Sequence, residues 1–206
     1  MIQETPAAFD KKELIMLQQL RIATLLLFAF TVLTGGVYPL VVTVVAQTVF
    51  PHQANGSLMR QAGQVIGSEF IGQQFTRPEY FWGRLSATSP VPYHAAASSG
   101  SNYGPLHPGL KQAAEARIAE LRKWKTPESK VPADLVTSSG SGLDPHLSIA
   151  AAEFQVPRIA PLRNMTEEQL RELIHQHTEW RQFGILGEPR VHVLRLNLTL
   201  DQHHPQ

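Results

Sequence analysis

From Ile22 to Phe50 the chain runs for 29 positions without a charged side chain. Nothing else in the sequence constrains its folding as strongly. A stretch of about 18 or more uncharged, mostly apolar residues suits a bilayer, where hydrocarbon offers the backbone no partners and a helix supplies its own. Fourteen residues between Ile22 and Val45 are Ile, Leu, Val or Phe. At about −0.3 to −0.6 kcal/mol each, they favour insertion by roughly 6 kcal/mol. Thr, Gly and Pro erode that figure without reversing it.

Val44-Val45-Ala46 resembles a small-residue cleavage site, so a cleaved signal peptide is the competing reading. Length argues against it. A signal core spans about 7 to 15 residues after a short basic start, whereas here Glu4, Asp10 and Glu13 precede a run about twice too long. The run therefore reads as a retained anchor. At about 1.5 Å per residue it outreaches the roughly 30 Å of hydrocarbon, so it must tilt, kink or end early. Gly35-Gly36 and Pro39 offer the kink, and the paired glycines also permit close packing by a neighbouring helix. Gly and Pro are also simply commoner in membrane helices.

Lys11, Lys12 and Arg21 precede the span, and Arg60 is the only Lys or Arg in the first fifteen residues beyond it. This bias predicts a cytoplasmic segment over 1–21, a transmembrane helix over 22–49 and an exported domain over 50–206. The exported part is long enough for one core, and with no cysteine in the chain it needs no disulfide. A net charge of +1 without a concentrated basic face gives no reason to expect nucleic acid.

Residues 51–109, rich in Gly, Pro, Ser and aromatics, predict short strands and ordered loops. Leu110, Ala113, Ala114, Arg117, Ile118, Leu121 and Trp124 then recur at helical spacing, up to a stop at Pro127. After a polar linker over 126–130 come Leu135-Val136 and a Ser/Gly turn. Asp144-Pro145 has the chemistry of a helix start; that helix would carry Ile149, Ala150, Ala151 and Phe154 and end before Pro157. Thr166 and Gln169 form a capping-box pattern for a helix bearing Leu170, Leu173, Ile174 and His177, broken by Gly184 and Gly187. Leu194, Leu196, Leu198 and Leu200 alternate with polar residues, the pattern of a half-buried strand. The fold class expected is one N-terminal transmembrane helix plus a single mixed α/β extracytoplasmic domain.

The common nucleotide and hydrolase signatures are absent from the sequence, as is any cysteine nucleophile. Among nine histidines, His175 and His177 do not share a helix face and His203-His204 sit near the end of the chain, so no metal site is expected. Asp134, Asp144 and His146 are the one compact acid/base cluster in sequence, and would carry the chemistry of an anchored periplasmic hydrolase. Ser139-Gly140-Ser141-Gly142 reads either as backbone amides facing a phosphate or as a plain left-handed turn; the lack of Lys or Arg within it favours the turn.

Seven ordered blocks remain: T-G-G-V-Y-P-L (34–40), N-G-S (55–57), G-S-E-F-I-G-Q-Q-F (67–75), Y-F-W-G-R-L-S-A (80–87), S-S-G-S-N-Y-G-P (98–105), L-V-T-S-S-G-S-G-L-D-P-H (135–146) and G-E-P-R-V-H-V-L-R-L-N-L-T-L-D (187–201). Together they resemble the C subunit of the Kdp potassium-transporting ATPase, over nearly the whole chain from about Arg21. Leu85 stands where Pro is usual, Ser99 where Gly is usual and His192 where Asn is usual.

The resemblance implies an accessory, non-catalytic subunit of a bacterial ATP-driven potassium uptake pump, anchored once in the inner membrane. Its partners would be the potassium-pore subunit, the catalytic ATPase subunit, the small membrane subunit and membrane lipid. It would stabilise the complex and act as a catalytic chaperone that raises ATP affinity. No tightly bound cofactor is implied, ATP being met only through the complex, with Ser139, Gly140, Ser141, Gly142 and Gln155 as the nucleotide-facing residues. The charge bias places those residues opposite cytosolic ATP, which suits a periplasmic cap beside the potassium entrance better. An anchored hydrolase and a stand-alone periplasmic scaffold are the alternatives.

Overall fold

A computed structural model describes residues 11–124, 128 and 130–203, and the chain divides into two units, one ending at Asn55 and the other beginning at Gly56. The expected stop at Pro127, part of the 126–130 linker, His204 and residues 1–10 of the N-terminal segment lie outside the described residues.

The first unit is helical throughout. Helix α1 (Lys11–Val32) passes through one π-helical turn (Leu33–Val37) into α2 (Tyr38–Val49), with a single turn, α3 (Pro51–Ala54), after it. The 39 residues from Lys11 to Val49 contain a segment long and apolar enough to cross a membrane, and none of the segment is buried in the protein. The helix begins upstream of the apolar run, since Lys11–Arg21 has good helix formers and no breaker. Within the run, the Thr24, Thr34 and Thr48 hydroxyls donate to the carbonyls four residues back at 2.7–2.8 Å, so these three hydroxyls are satisfied inside the helix.

The π turn sits where Gly35, Gly36 and Pro39 predict a disturbance. Pro39 has no N–H to offer Gly35 and its ring crowds that carbonyl. The Tyr38 N–H bonds Leu33, five residues back, which widens the turn ahead of the ring. A Cβ added at Gly35 or Gly36 would meet nothing within 4 Å.

The second unit opens with an antiparallel hairpin, β1 (Leu58–Gln61) and β2 (Gln64–Ser68), turned at Ala62-Gly63 with positive φ at both. Long ordered loops follow as far as helix α4 (Pro108–Leu121), which His107 caps by accepting from the Gly109 N–H at 3.0 Å. Trp124 lies beyond its end. Leu135-Val136 belong to a short helix, α5 (Ala133–Val136). Strand β3 (His146–Ser148), helices α6 (Ile149–Leu162) and α7 (Glu167–Gln176), strands β4 (Thr178–Glu179) and β5 (Arg190–His192), and helix α8 (Val193–His203) complete the domain. The three-stranded sheet has the order β3-β5-β4, all antiparallel, with Leu147 and Thr178 both opposite Val191. Phe81, Trp82, Leu121, Leu135, Leu147, Ala151, Ile159, Leu170, Ile174, Leu196 and Leu200 form the core.

The capping box of α7 is present as expected, with Thr166 and Gln169 bonding reciprocally. Three other expectations are corrected. Asp144-Pro145 does not start a helix: Asp144 instead accepts from the His146 N–H at 3.0 Å, and Ser148 caps α6 by accepting from Ala151. Nor does Pro157 end α6, because Pro157 and Pro161 both lie inside it. The missing N–H groups fall opposite the carbonyls of Glu153 and Pro157, on the helix's less buried stripe, while Ala151, Gln155, Val156, Ile159 and Ala160 face the core.

The leucine ladder from Leu194 to Leu200 is helix α8, not a strand. Its buried residues are Val193, Leu194, Leu196, Asn197 and Leu200, a spacing of three and four that an every-second-residue reading misses.

Candidate functional site

The centre of the domain is an irregular segment outside the sheets, Pro78 to Leu85, threaded between α6 and α8. A backbone buried outside a sheet needs its partners from side chains. Asn197 on α8 accepts from the Phe81 N–H at 2.9 Å and donates to its carbonyl at 3.0 Å. Gln155 on α6 does the same for Trp82, at 2.8 and 3.1 Å. Two amides thus imitate the rungs of a β-ladder. Arg158 donates to the Pro78 carbonyl, Arg163 to Glu79 at 3.1 Å, Arg117 to Gly83 at 3.1 Å and the Tyr93 hydroxyl to Arg84 at 2.6 Å.

Trp82 is stacked by two cations, Arg158 at 4.2 Å and Arg117 at 4.9 Å from its ring centroid. Burial, with the Arg117 charge nearby, pushes the Arg158 pKa down to about 9, so it remains protonated at neutral pH. Its charge is met by the ring, the Pro78 carbonyl and the Gln155 oxygen at 2.6 Å. Burial likewise raises the Tyr93 hydroxyl to about 12, keeping it a donor.

The Ser139–Gly142 turn closes onto this segment. Ser139 N donates to the Leu85 carbonyl at 3.2 Å, and the Ser86 hydroxyl donates to the Gly142 carbonyl at 2.6 Å. The Ser141 carbonyl accepts from Ser99 N at 2.9 Å and from the Ser98 hydroxyl at 3.0 Å. Gly140 and Ser141 are exposed, whereas Ser139 and Gly142 are buried. Gln155 is completely buried, and its amide binds Trp82, Ala151 and Arg158. Of the five residues expected to face nucleotide, two lie at the surface and one is sealed in the core.

The acid/base residues do converge. Asp134, Asp144 and His146 line one open cleft of about 540 Å³ with Arg84 and Arg190. Both carboxylates hold their own loops: Asp134 accepts from Ser148 N at 2.8 Å, and Asp144 accepts from His146 N and from Arg84 at 3.2 Å. Burial alone would raise the Asp144 pKa, yet the His146 hydrogen bonds and the Arg84 charge hold it below the usual carboxylate range. His146 Nδ1 lies 3.3 Å from Asp144, and Nε2 lies 3.6 Å from Glu179. Among the described residues no group of three or more His, Asp or Glu is placed to hold a metal ion.

The family of K+-transporting ATPase c chains, KdpC, matches residues 20–202. The chain belongs to the KdpC family. A protein of Herpetosiphon aurantiacus named "Potassium-transporting ATPase KdpC subunit" is 62% identical over 175 residues, which cover 84% of this chain and 90% of the relative. Proteins of the same name are 57% identical in Burkholderia mallei (85% of this chain, 93% of the relative) and 56% identical in Burkholderia orbicola (88% and 95%).

Four of the ordered blocks that pointed to KdpC build the clamp and the turn beside it. The 80–87, 98–105, 135–146 and 187–201 blocks supply Trp82, Ser99, the Ser139–Gly142 turn and Asn197. Sequence reasoning missed the Trp82 clamp of Arg117, Gln155, Arg158 and Asn197, because polar residues inside helices read as solvent-facing. The one signal was their position: Gln155 and Arg158 fall on the same stripe as Ala151 and Ala152.

The turn can be tested by its glycines. Gly142 has φ +69°, and an added Cβ would lie 2.6 Å from the Ser99 carbonyl oxygen, whereas one at Gly140 would meet nothing. Gly142→Ala is expected to cost roughly 2–3 kcal/mol and Gly140→Ala less than about 0.5 kcal/mol. Chemical denaturation of the detergent-solubilised chain checks both.

His192 gives the domain an acid-sensitive point. Its Nδ1 accepts from Arg195 N at 3.3 Å and its Nε2 donates to the Glu69 carbonyl at 2.9 Å, the pattern of a neutral ring. Burial, assisted by the neighbouring His146 and Arg195, lowers its pKa. With the folded value below the unfolded one, the stabilisation is complete above about pH 6.5 and declines as pH falls through the lowered value. His192→Asn is expected to flatten the stability profile from about pH 6.5 down to the lowered value, leaving the steeper carboxylate losses below about pH 4. An unchanged slope in the variant refutes this.

Proposed function

We propose that the chain is the accessory, non-catalytic subunit of an ATP-driven potassium uptake pump, spanning the bacterial inner membrane once. The observation that carries this reading is the KdpC match over residues 20–202, which runs through the apolar helix and almost to the end of the domain. The names of the relatives support the assignment to a potassium-transporting ATPase. Its partners are the potassium-pore subunit, the catalytic ATPase subunit and the small membrane subunit.

Lys11, Lys12 and Arg21 favour a cytoplasmic N-terminus, with the domain periplasmic, where it stabilises the complex beside the potassium entrance. No cofactor is bound tightly, and ATP is met only through the complex. Raised ATP affinity then arises by coupling through the assembly, while direct contact would use the exposed Gly140 and Ser141.

Three measurements test this. The tagged chain, extracted in mild detergent, is expected to bring the pore and ATPase subunits with it; recovery alone sinks the assignment. A C-terminal reporter active only in the periplasm is expected to be on. A cytoplasmic signal would reverse the topology and restore direct ATP contact. Gln155 variants cannot report on nucleotide without a stability control, so Ser141→Ala is the informative substitution: under coupling, ATP affinity of the pump stays unchanged.

A further inference from the structure

Between the two short strands β4 and β5 the chain makes a narrow turn, Trp180 to Leu186. Trp180, Phe183, Ile185 and Leu186 are 60%, 83%, 75% and 55% exposed. Elsewhere in the domain the exposed large apolar side chains are spread along the chain, whereas here four fall within seven residues.

The turn is ordered. Gln182 and Leu186 exchange both backbone hydrogen bonds at 2.9 Å, and the Gly184 and Ile185 N–H groups bond Arg181 and Gln182. Phe183 is held at φ +54° and Gly184 at +76°, a left-handed conformation that is costly for an aromatic residue. The backbone thus holds a large ring outward. Arg181 and Glu188 pair at 2.6 Å at its base, and residues 182–187 carry no charge. An uncharged apolar tip with a Trp and a paired charge at its root has the composition of a membrane-interface contact.

Connectivity favours lipid over a protein partner as occupant. The apolar helix ends at Val49 and the domain begins at Gly56, a link of at most about 25 Å even when fully extended. A relay of contacts links the root of the turn to the segment by which the chain enters the domain. Glu69 N donates to the Ser57 carbonyl at 3.0 Å, the Glu69 carboxylate pairs with Arg195 at 2.7 Å, and Arg195 pairs at 3.7 Å with Glu179, the neighbour of Trp180. Met59, Arg60 and Gln61 also line one cleft with His177, three residues before Trp180.

We propose that the Trp180–Leu186 turn is a lipid-contacting finger, resting its apolar tip in the interfacial layer of the bilayer that the chain's own helix spans. The finger holds the tethered domain at the membrane surface and limits the orientations it presents to the pump. This inference rests on the reading that the helix spans the membrane.

The chain has no cysteine, so single positions can be spin-labelled in the full-length protein. Phe183→Cys, Leu27→Cys in the apolar helix and Lys111→Cys on an exposed helix face are reconstituted singly in phosphatidylglycerol/phosphatidylethanolamine vesicles. Collisions with oxygen, which concentrates in lipid, and with a water-soluble nickel chelate are compared. The expected result is a several-fold higher oxygen-to-nickel ratio at Phe183 and Leu27 than at Lys111. Ile185→Cys repeats the measurement from the far side of the tip.

A lipid signal at Leu27 with aqueous signals at Phe183 and Ile185 overturns the finger and leaves the anchor standing. An aqueous signal at Leu27 overturns both. A Phe183 label reached by neither reagent in the assembled pump assigns the tip to a protein partner and overturns the lipid reading.

Discussion

Replacing Gln155 by Leu is expected to cost roughly 3–9 kcal/mol, because it strands three buried groups at about 1–3 kcal/mol each. These are the N–H and carbonyl of Trp82 and the Arg158 Nη2, all bonded by the one Gln155 amide. Leu fits the volume, so the loss measures polar satisfaction rather than a cavity. A domain of this size is stable by about 5–15 kcal/mol, so the variant should show a clearly lower denaturation midpoint in the detergent-solubilised full chain. A midpoint within error of the parent would mean that water or a shifted backbone takes over these bonds. Asn197→Leu, which strands only the Phe81 pair, should lose less.

Trp82→Ala is expected to be comparably damaging, at about 3–5 kcal/mol. The ring is 2% exposed, lies under both Arg158 and Arg117, and donates its indole N–H to the Arg77 carbonyl at 2.8 Å. Removing it leaves a cavity and two guanidinium groups without the π face that offsets their burial. Trp82→Phe keeps an aromatic face and loses the indole donor, so a smaller loss of about 1–2 kcal/mol follows. The Gln155→Leu/Trp82→Ala double variant should fall well short of the sum, since both substitutions act on Arg158 and the same backbone unit. Additive losses would show that amide and ring support the segment independently.

Arg158 explains why this cluster is built as it is. Among the described residues no carboxylate is bonded to it, Glu120 and Glu79 acting only through their charge, and burial depresses its pKa to about 9. A buried cation is tolerable only when ring, carbonyl and amide are all in place. The clamp is therefore all-or-none. It joins α4, α6 and α8 to the Pro78–Leu85 segment, whose far end carries the Ser139–Gly142 turn.

The elements legible in the sequence are those governed by local chemistry. The Ile22–Val49 run, the disturbance at Gly35, Gly36 and Pro39, the α4 pattern and the Thr166–Gln169 capping box all follow from interactions spanning a few residues. The elements misread depend on what lies opposite. Leu194 to Leu200 alternate as a strand would, yet they form α8 because Val193, Leu196, Asn197 and Leu200 find a core on one helical face. Pro157 and Pro161 read as stops, yet α6 continues because both fall on its wetter stripe and the burial of Val156 and Ile159 outweighs the lost bonds.

By itself, then, the sequence determined the family, through seven blocks in order, and a membrane-length helix, because backbone desolvation in hydrocarbon leaves an apolar run no other conformation. Only the tertiary structure decided what Gln155 and Asn197 do. Side-chain amides substitute for a missing strand only where a distant segment arrives with unpaired backbone, and no local pattern encodes that arrival. The same holds for the Trp180–Leu186 turn. Its apolar letters resemble core in the sequence, and folding leaves them outside because hydrogen bonds and left-handed residues turn the chain away from the domain.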